Sequence, residues 1–190
     1  MDPPVVPRER LDGWRRVDEV TERAFAAGPV SVDASTVRYE RDASEPPRPF
    51  CFASRLEIRP PTAPNPALTA LVERQARSGF RDRLAERDVE GVEHRGDRGI
   101  SVDDPSASRA TLSTFRGVAR VGDGRGVPVE ALLAVWATDE YLLGGGAYPL
   151  EEASYPSGGT PGDARRELLG IVRGIASPDD PGDAGPDSTR

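Results

Sequence analysis

The chain has 190 residues, 36% of them hydrophobic, with 32 acidic against 25 basic residues and a formal net charge of −7. Every basic residue is arginine, so Schiff-base chemistry and a P-loop lysine are excluded. The length fits one domain. A lone cysteine, Cys51, rules out an intrachain disulfide and a cysteine zinc site.

An acidic, lysine-free chain is what high intracellular salt favours. At ~1 M salt the Debye length is ~3 Å, and a dense carboxylate surface then repels itself little. A high-GC genome is the other source of such a composition. No run reaches the ~18 apolar residues of a membrane span, and no basic stretch leads into an apolar one near Met1. The expectation is a soluble, cytoplasmic protein.

Residues 1–12, with Pro3, Pro4 and Pro7 among charges, read as an extended arm. A strand follows through Trp14, Val17, Val20 and Phe25. Gly28 and Pro29 turn it into a second strand through Val32, Ala34, Val37 and Tyr39. Residues 42–49 form a proline-rich loop, and a third strand runs from Phe50 to Arg59 around the small, buried Cys51. Asn65-Pro66 is a helix start: an N-cap acceptor, then proline at the first helical position. Leu68, Leu71, Val72, Ala76, Phe80 and Leu84 then recur at helical spacing, which predicts a helix over 66–88. Residues 91–104 read as a short hairpin with Gly96 and Gly99 near its turn, and 109–121 as a long strand.

The stretch from Val129 to Pro149 organises the rest. Ala131 to Ala137 contains no polar residue, which predicts a strand buried on both faces. After the turn at Thr138, Asp139 and Glu140, a partner strand runs from Tyr141 through Gly144, Gly145 and Gly146 to Tyr148. Beyond a loose segment containing Pro156, Thr160 and Asp163 form a capping pattern, and an amphipathic helix is predicted over 161–176. Residues 178–190 are Pro, Gly, Asp and Ser and are expected to be a disordered acidic tail. The domain proper is then 13–177.

Doubly buried strands need cover on both faces. The pattern therefore predicts an α+β fold: a three-layer α/β/α sandwich around a mostly antiparallel sheet of about seven strands. A two-layer sheet with both helices on one face is the alternative. An aromatic at position 136 should then be core.

Catalytic signatures are absent from the pattern. His94, the only histidine, sits among Glu93, Arg95 and Asp97 and reads as a solvated loop residue rather than a triad base. Asp103-Asp104 and Glu151-Glu152 are paired acids in an acid-rich background. No metal, cofactor or catalytic residue is assigned. Gly122, Gly124 and Gly126 lack the dinucleotide spacing and precede a strand, so they read as a hairpin loop. The net charge and the mixed face of the first helix disfavour nucleic acid. The triple glycine is the one anomaly, because glycine weakens a central strand unless something needs the space. Either a covering side chain packs there, or a ligand or partner approaches, which makes Gly144, Gly145, Gly146 and Tyr148 the candidate binding residues.

Gly13-Trp14, Val37-Arg38-Tyr39-Glu40, Phe52-Ala53-Ser54-Arg55, Leu133-Ala134-Val135-Trp136 and Gly144 to Pro149 together resemble an uncharacterised domain family of halophilic archaea, over about residues 8–176. That resemblance implies no catalytic residues. It implies envelope association in members carrying a lipoprotein signal and lipid-bearing cysteine, neither of which stands in this sequence. The order of elements also resembles the PsbP/Mog1 fold of non-enzymatic binding proteins. The expectation is a non-enzymatic binding or accessory domain with a protein partner. The alternative is an enzyme with a carboxylate/arginine pocket near Glu140, Tyr141 or Tyr148.

Overall fold

The computed structural model describes residues 1–41, 46–107, 109–122, 124–155 and 158–178. The expected tail beyond Pro178, part of the 42–49 loop, Asp123 and Pro156 lie outside the described residues. Seven strands are present: β1 (Trp14–Ala27), β2 (Val30–Arg41), β3 (Phe50–Arg59), β4 (Val89–Ile100), β5 (Ala110–Arg120), β6 (Gly126–Ala137) and β7 (Tyr141–Pro149). Helix α1 (Pro66–Ala85) separates β3 from β4, and α2 (Pro161–Arg173) follows β7.

The strands form one sheet in the order β1-β2-β3-β7-β6-β5-β4, and every pairing is antiparallel. Two meanders, β1–β2–β3 and β4–β5–β6–β7, lie on either side of α1 in the chain. The last strand of the second docks beside the last strand of the first, so β7 takes the middle position and all nine of its residues are buried. At the β1–β2 turn Gly28 has φ 58°, and Pro29 follows. Glycine first and a fixed negative φ second suit a tight two-residue hairpin.

Helix α1 begins as the sequence predicts, with the Asn65 side chain accepting from the Leu68 N–H at 3.0 Å. It ends at Ala85 rather than 88, and Asp88 takes φ 57° on the way into β4. The expected hairpin over 91–104 is not formed. Val89–Ile100 is one edge strand, and register shifts near Gly91 (φ 61°) and Gly96 (φ 148°) are bulges. Glycine inside a strand pattern marks a bulge as readily as a turn.

Helix α2 opens with a reciprocal cap: the Asp163 N–H donates to the Thr160 hydroxyl at 3.1 Å, and the Thr160 N–H to the Asp163 carboxylate at 2.9 Å. It stops at Arg173, short of 176, because Ala176 pairs instead with Val5 through N–H···O bonds of 2.9 and 3.0 Å. The first residues are thus docked. Val6 is buried, and the Arg10 guanidinium reaches Asp103 and the Gly170 carbonyl at the end of α2.

Strand β6 sorts the core. Its Val129, Ala131, Leu133 and Val135 cluster with Leu68, Val72, Phe80 and Leu84 of α1. Its Leu132, Ala134 and Trp136 cluster with Leu168, Ile171 and Val172 of α2. Successive strand side chains point to opposite faces, so the α1 side and the α2 side of the sheet carry separate cores.

Candidate ligand cleft

Helix α1 runs closest to β4 and β6. Toward β1–β3 the same side of the sheet extends past it, leaving a cleft of about 540 Å³ between the helix and the strands. Val72, Ala76, Gly79 and Phe80 form the helix wall, and Phe25, Ala34, Phe52, Leu133 and Leu143 come from the sheet. Polar side chains also line the cleft: Gln75 of α1, Arg38 of β2, and two small hydroxyls, Thr36 of β2 and Ser54 of β3. The two hydroxyl residues occupy alternation positions that face α1, between Ala34 and Arg38 on β2, and between Phe52 and Leu56 on β3. Their hydroxyls lie 2.7 Å apart, and the residues are only 8% and 5% exposed.

The rim is charged. Arg83 pairs with Glu22, Arg23 with Asp33 at 2.9 Å, and Arg87 with Glu40 at 3.0 Å while its guanidinium lies over the Phe50 ring. Asp82 and Glu86 also line the rim and carry no ion pair among the described residues. Gly79 is unusual on this wall. Interior helix glycine costs about 1 kcal/mol relative to alanine, yet a Cβ at position 79 would meet nothing within 4 Å. No packing contact accounts for it; the position is exposed where the helix borders the cleft.

The glycines of β7 are explained by packing of two kinds. Gly144 and Gly146 face α2, where a Cβ would overlap Ile175 Cδ1 at Gly144, and the Phe50 carbonyl oxygen at Gly146. Gly145 faces the other way. The alternation of β7 turns it away from Leu168 and Val172: a Cβ there would overlap the Leu132 carbonyl oxygen and stand 3.0 Å from the Phe52 ring. Gly145 therefore makes room for an aromatic that lines the cleft.

Tyr148 lies on the α2 side, away from the cleft. Its hydroxyl donates to the buried Glu130 carboxylate, which Arg165 also reaches, with Arg116 at 3.4 Å. A carboxylate this deep requires such partners, and Arg165 thereby ties α2 to the sheet. Burial, then the neighbouring Tyr155, pushes the Tyr148 phenol well above its ordinary pKa. Tyr155 is pushed up to about 12 by burial and by Glu167. With Trp14, these two tyrosines line a small hollow of about 100 Å³. Trp14 donates to Glu167 at 3.0 Å, so it is bound to α2 rather than lying against a loop.

The other chemistry-bearing residues do not assemble a catalytic set. His94 and Ser113 both bond to the same Asp97 oxygen, at 2.8 and 2.6 Å. A triad needs the histidine between the other two; here the aspartate is in the middle. Burial alone would raise the Asp97 pKa, but bonds from Ser113 and His94 and the charges of His94 and Arg77 outweigh it and hold the carboxyl below its usual range. Glu140 pairs with Arg55 and accepts from Ser177, and Tyr141 is bonded to Thr69 at 2.7 Å. Cys51 is buried, and burial raises its thiol pKa strongly. Asp103 pairs with Arg10 and Glu151 with Arg125. Among the described residues no three His, Cys, Asp or Glu side chains converge as a metal site, and no helix is long and apolar enough to cross a membrane.

The composition of the site was only partly legible. Thr36 and Ser54 carry a readable signal, being polar residues at inward positions of alternating strands. So does Gly79, a glycine inside an amphipathic helix. Neither pointed to the other until the fold brought β2, β3 and α1 together.

Fold and cleft describe an α+β domain on a single antiparallel sheet. The family model Domain of unknown function (DUF6517) matches residues 3–176, and the chain belongs to that family. No curated protein and no solved structure matches it.

Proposed function

We propose that the protein is a non-enzymatic binding domain whose ligand occupies the cleft between α1 and β1–β3. One observation carries this reading: a roomy, largely apolar hollow with a buried polar pair in it, bordered by a helix glycine that packs against nothing. Small-molecule sites have this character, mostly apolar with a few convergent polar groups. The triple glycine contributes indirectly, since Gly145 seats Phe52. The reading takes the two helices as outer layers of an α/β/α sandwich, in the order of elements that resembles PsbP/Mog1 proteins. It takes the lysine-free, acidic composition as salt adaptation in a halophilic archaeon, with the domain working in the cytoplasm beside a protein partner and without nucleic acid. A melting midpoint that rises with KCl toward molar concentration is expected on that basis.

The test is binding of an uncharged apolar fluorophore, N-phenyl-1-naphthylamine, to the folded protein and to Gly79→Leu, which fills the cleft. Wild type should enhance the emission and the variant should not, with melting of both confirming that they are folded. Equal enhancement by both would sink the cleft reading. A second reading, an enzyme at Arg55, Glu140 and Tyr141, draws on a hollow of about 710 Å³ beside those residues.

A further inference from the structure

We propose that the cleft takes a neutral lipophilic carbonyl compound, such as a ketone, ester or quinone, held through its carbonyl oxygen by the Thr36–Ser54 pair. This rests on the cleft reading above and adds to it the class of ligand.

The argument is a hydrogen count. Each hydroxyl has one O–H to donate and lone pairs to accept. In the pair, one O–H is used on the other oxygen, and either residue can be the donor. Neither hydroxyl has another side-chain partner among the described residues. One O–H is therefore left over, at residues nearly closed to solvent and bordered by Phe52, Ala34 and Leu133. A donor in such surroundings is costly until an acceptor meets it. A hydrocarbon leaves it unmet. A carbonyl oxygen satisfies it while the rest of the molecule stays in contact with Val72, Phe80 and Leu143.

Charge narrows the class. A carboxylate carried to this depth would find one hydroxyl proton and no uncommitted cation, because the cleft arginines Arg23, Arg38, Arg83 and Arg87 are already engaged by Asp33, Asp18, Glu22 and Glu40. Asp82 and Glu86 on the same rim oppose an anion further. The bound acceptor should therefore be uncharged.

The probe is 6-propionyl-2-dimethylaminonaphthalene, a fluorescent ketone, compared with 2-dimethylaminonaphthalene, the same ring without the acyl group. Wild type should bind the ketone about tenfold more tightly than its deacylated analogue, the scale of one hydrogen bond in a dry site. Thr36→Val/Ser54→Ala together should abolish that preference, with the analogue bound as before. Ser54→Ala alone should keep it, since the Thr36 hydroxyl then donates unaided. The carbonyl stretch of the bound ketone in wild type, lowered relative to its value in alkane, gives a readout that needs no variant to fold. Equal affinity of wild type for the two probes, a preference that survives the double substitution, or an unshifted carbonyl stretch would overturn the proposal and leave the cleft reading standing. Binding of neither probe would overturn both.

Discussion

Under α2, Leu168, Ile171, Val172 and Ile175 are each at most 2% exposed and meet a sheet surface hollowed by Gly144 and Gly146. Under α1, Val72 and Leu84 are equally buried, but Gly79 and Ala76 face about 540 Å³ of open cleft. Both sides use glycine, with opposite results. In the sheet, glycine removes side chains that would hold α2 away, so that helix closes down. In α1, Gly79 faces nothing and borders the gap. What a glycine means is decided by what its missing Cβ would touch. The comparison assigns stability mainly to the α2 side and ligand access to the α1 side.

The strongest way to break that assignment is Trp136→Ala. Trp136 is 2% exposed on the α2 side, and truncation should cost about 3–5 kcal/mol in denaturant melts. Trp14→Ala should cost far less, because that indole is half-buried and held by Glu167 and Arg41 at the margin of α2. Trp136 Nε1 is the one buried side-chain polar atom without a partner among the described residues. Trp136→Phe should therefore cost much less than the alanine change. Equal losses for Trp14→Ala and Trp136→Ala would contradict the ranking.

Next come the β7 glycines. Gly145→Ala and Gly146→Ala both drive a Cβ into backbone carbonyl oxygen and should lower stability by about 1–3 kcal/mol. Gly144→Ala meets only the tip of Ile175 and should be the mildest of the three. Gly145→Ala should also weaken probe binding, by pushing on Phe52 from below. A Gly145→Ala protein with normal stability and unchanged probe affinity would break the link between the glycines and the cleft.

On the α1 side the sign reverses. Gly79→Ala should stabilise by about 0.5–1 kcal/mol, read as a higher melting midpoint, since helix propensity improves and nothing clashes. A loss of stability would mean that the wall is packed after all.

The smallest effect concerns pH at the β4 edge. Asp97 has its folded pKa depressed, so the stability it contributes is complete above its ordinary unfolded value of about 4 and is lost as pH falls below that. Asp97→Asn should lower the melting midpoint at neutral pH and flatten that part of the acid limb. An acid limb identical to wild type would remove Asp97 from the account.

The sequence by itself determined the local elements. Strand β3 lies where its alternating apolar run ends in prolines, both helix starts carry their caps, and the apolar run from Ala131 is buried as far as Trp136, with Ala137 half-buried, because each of these depends on residues a few positions apart. Local reading failed where glycine had two meanings, at β4, where Gly91 and Gly96 make bulges in a single edge strand. It also fell short at the end of α2, which long-range pairing of Ala176 with Val5 cuts at Arg173. Only the tertiary structure decided that β7 lies next to β3, which places Phe52 over Gly145. The same holds for the meeting of the Thr36 and Ser54 hydroxyls, and for the position of α1 over β4 and β6 rather than β1–β3. These are pairings between residues far apart in the chain. Strand register and helix placement fix them through summed packing over the whole sheet, and no short stretch of sequence carries that sum.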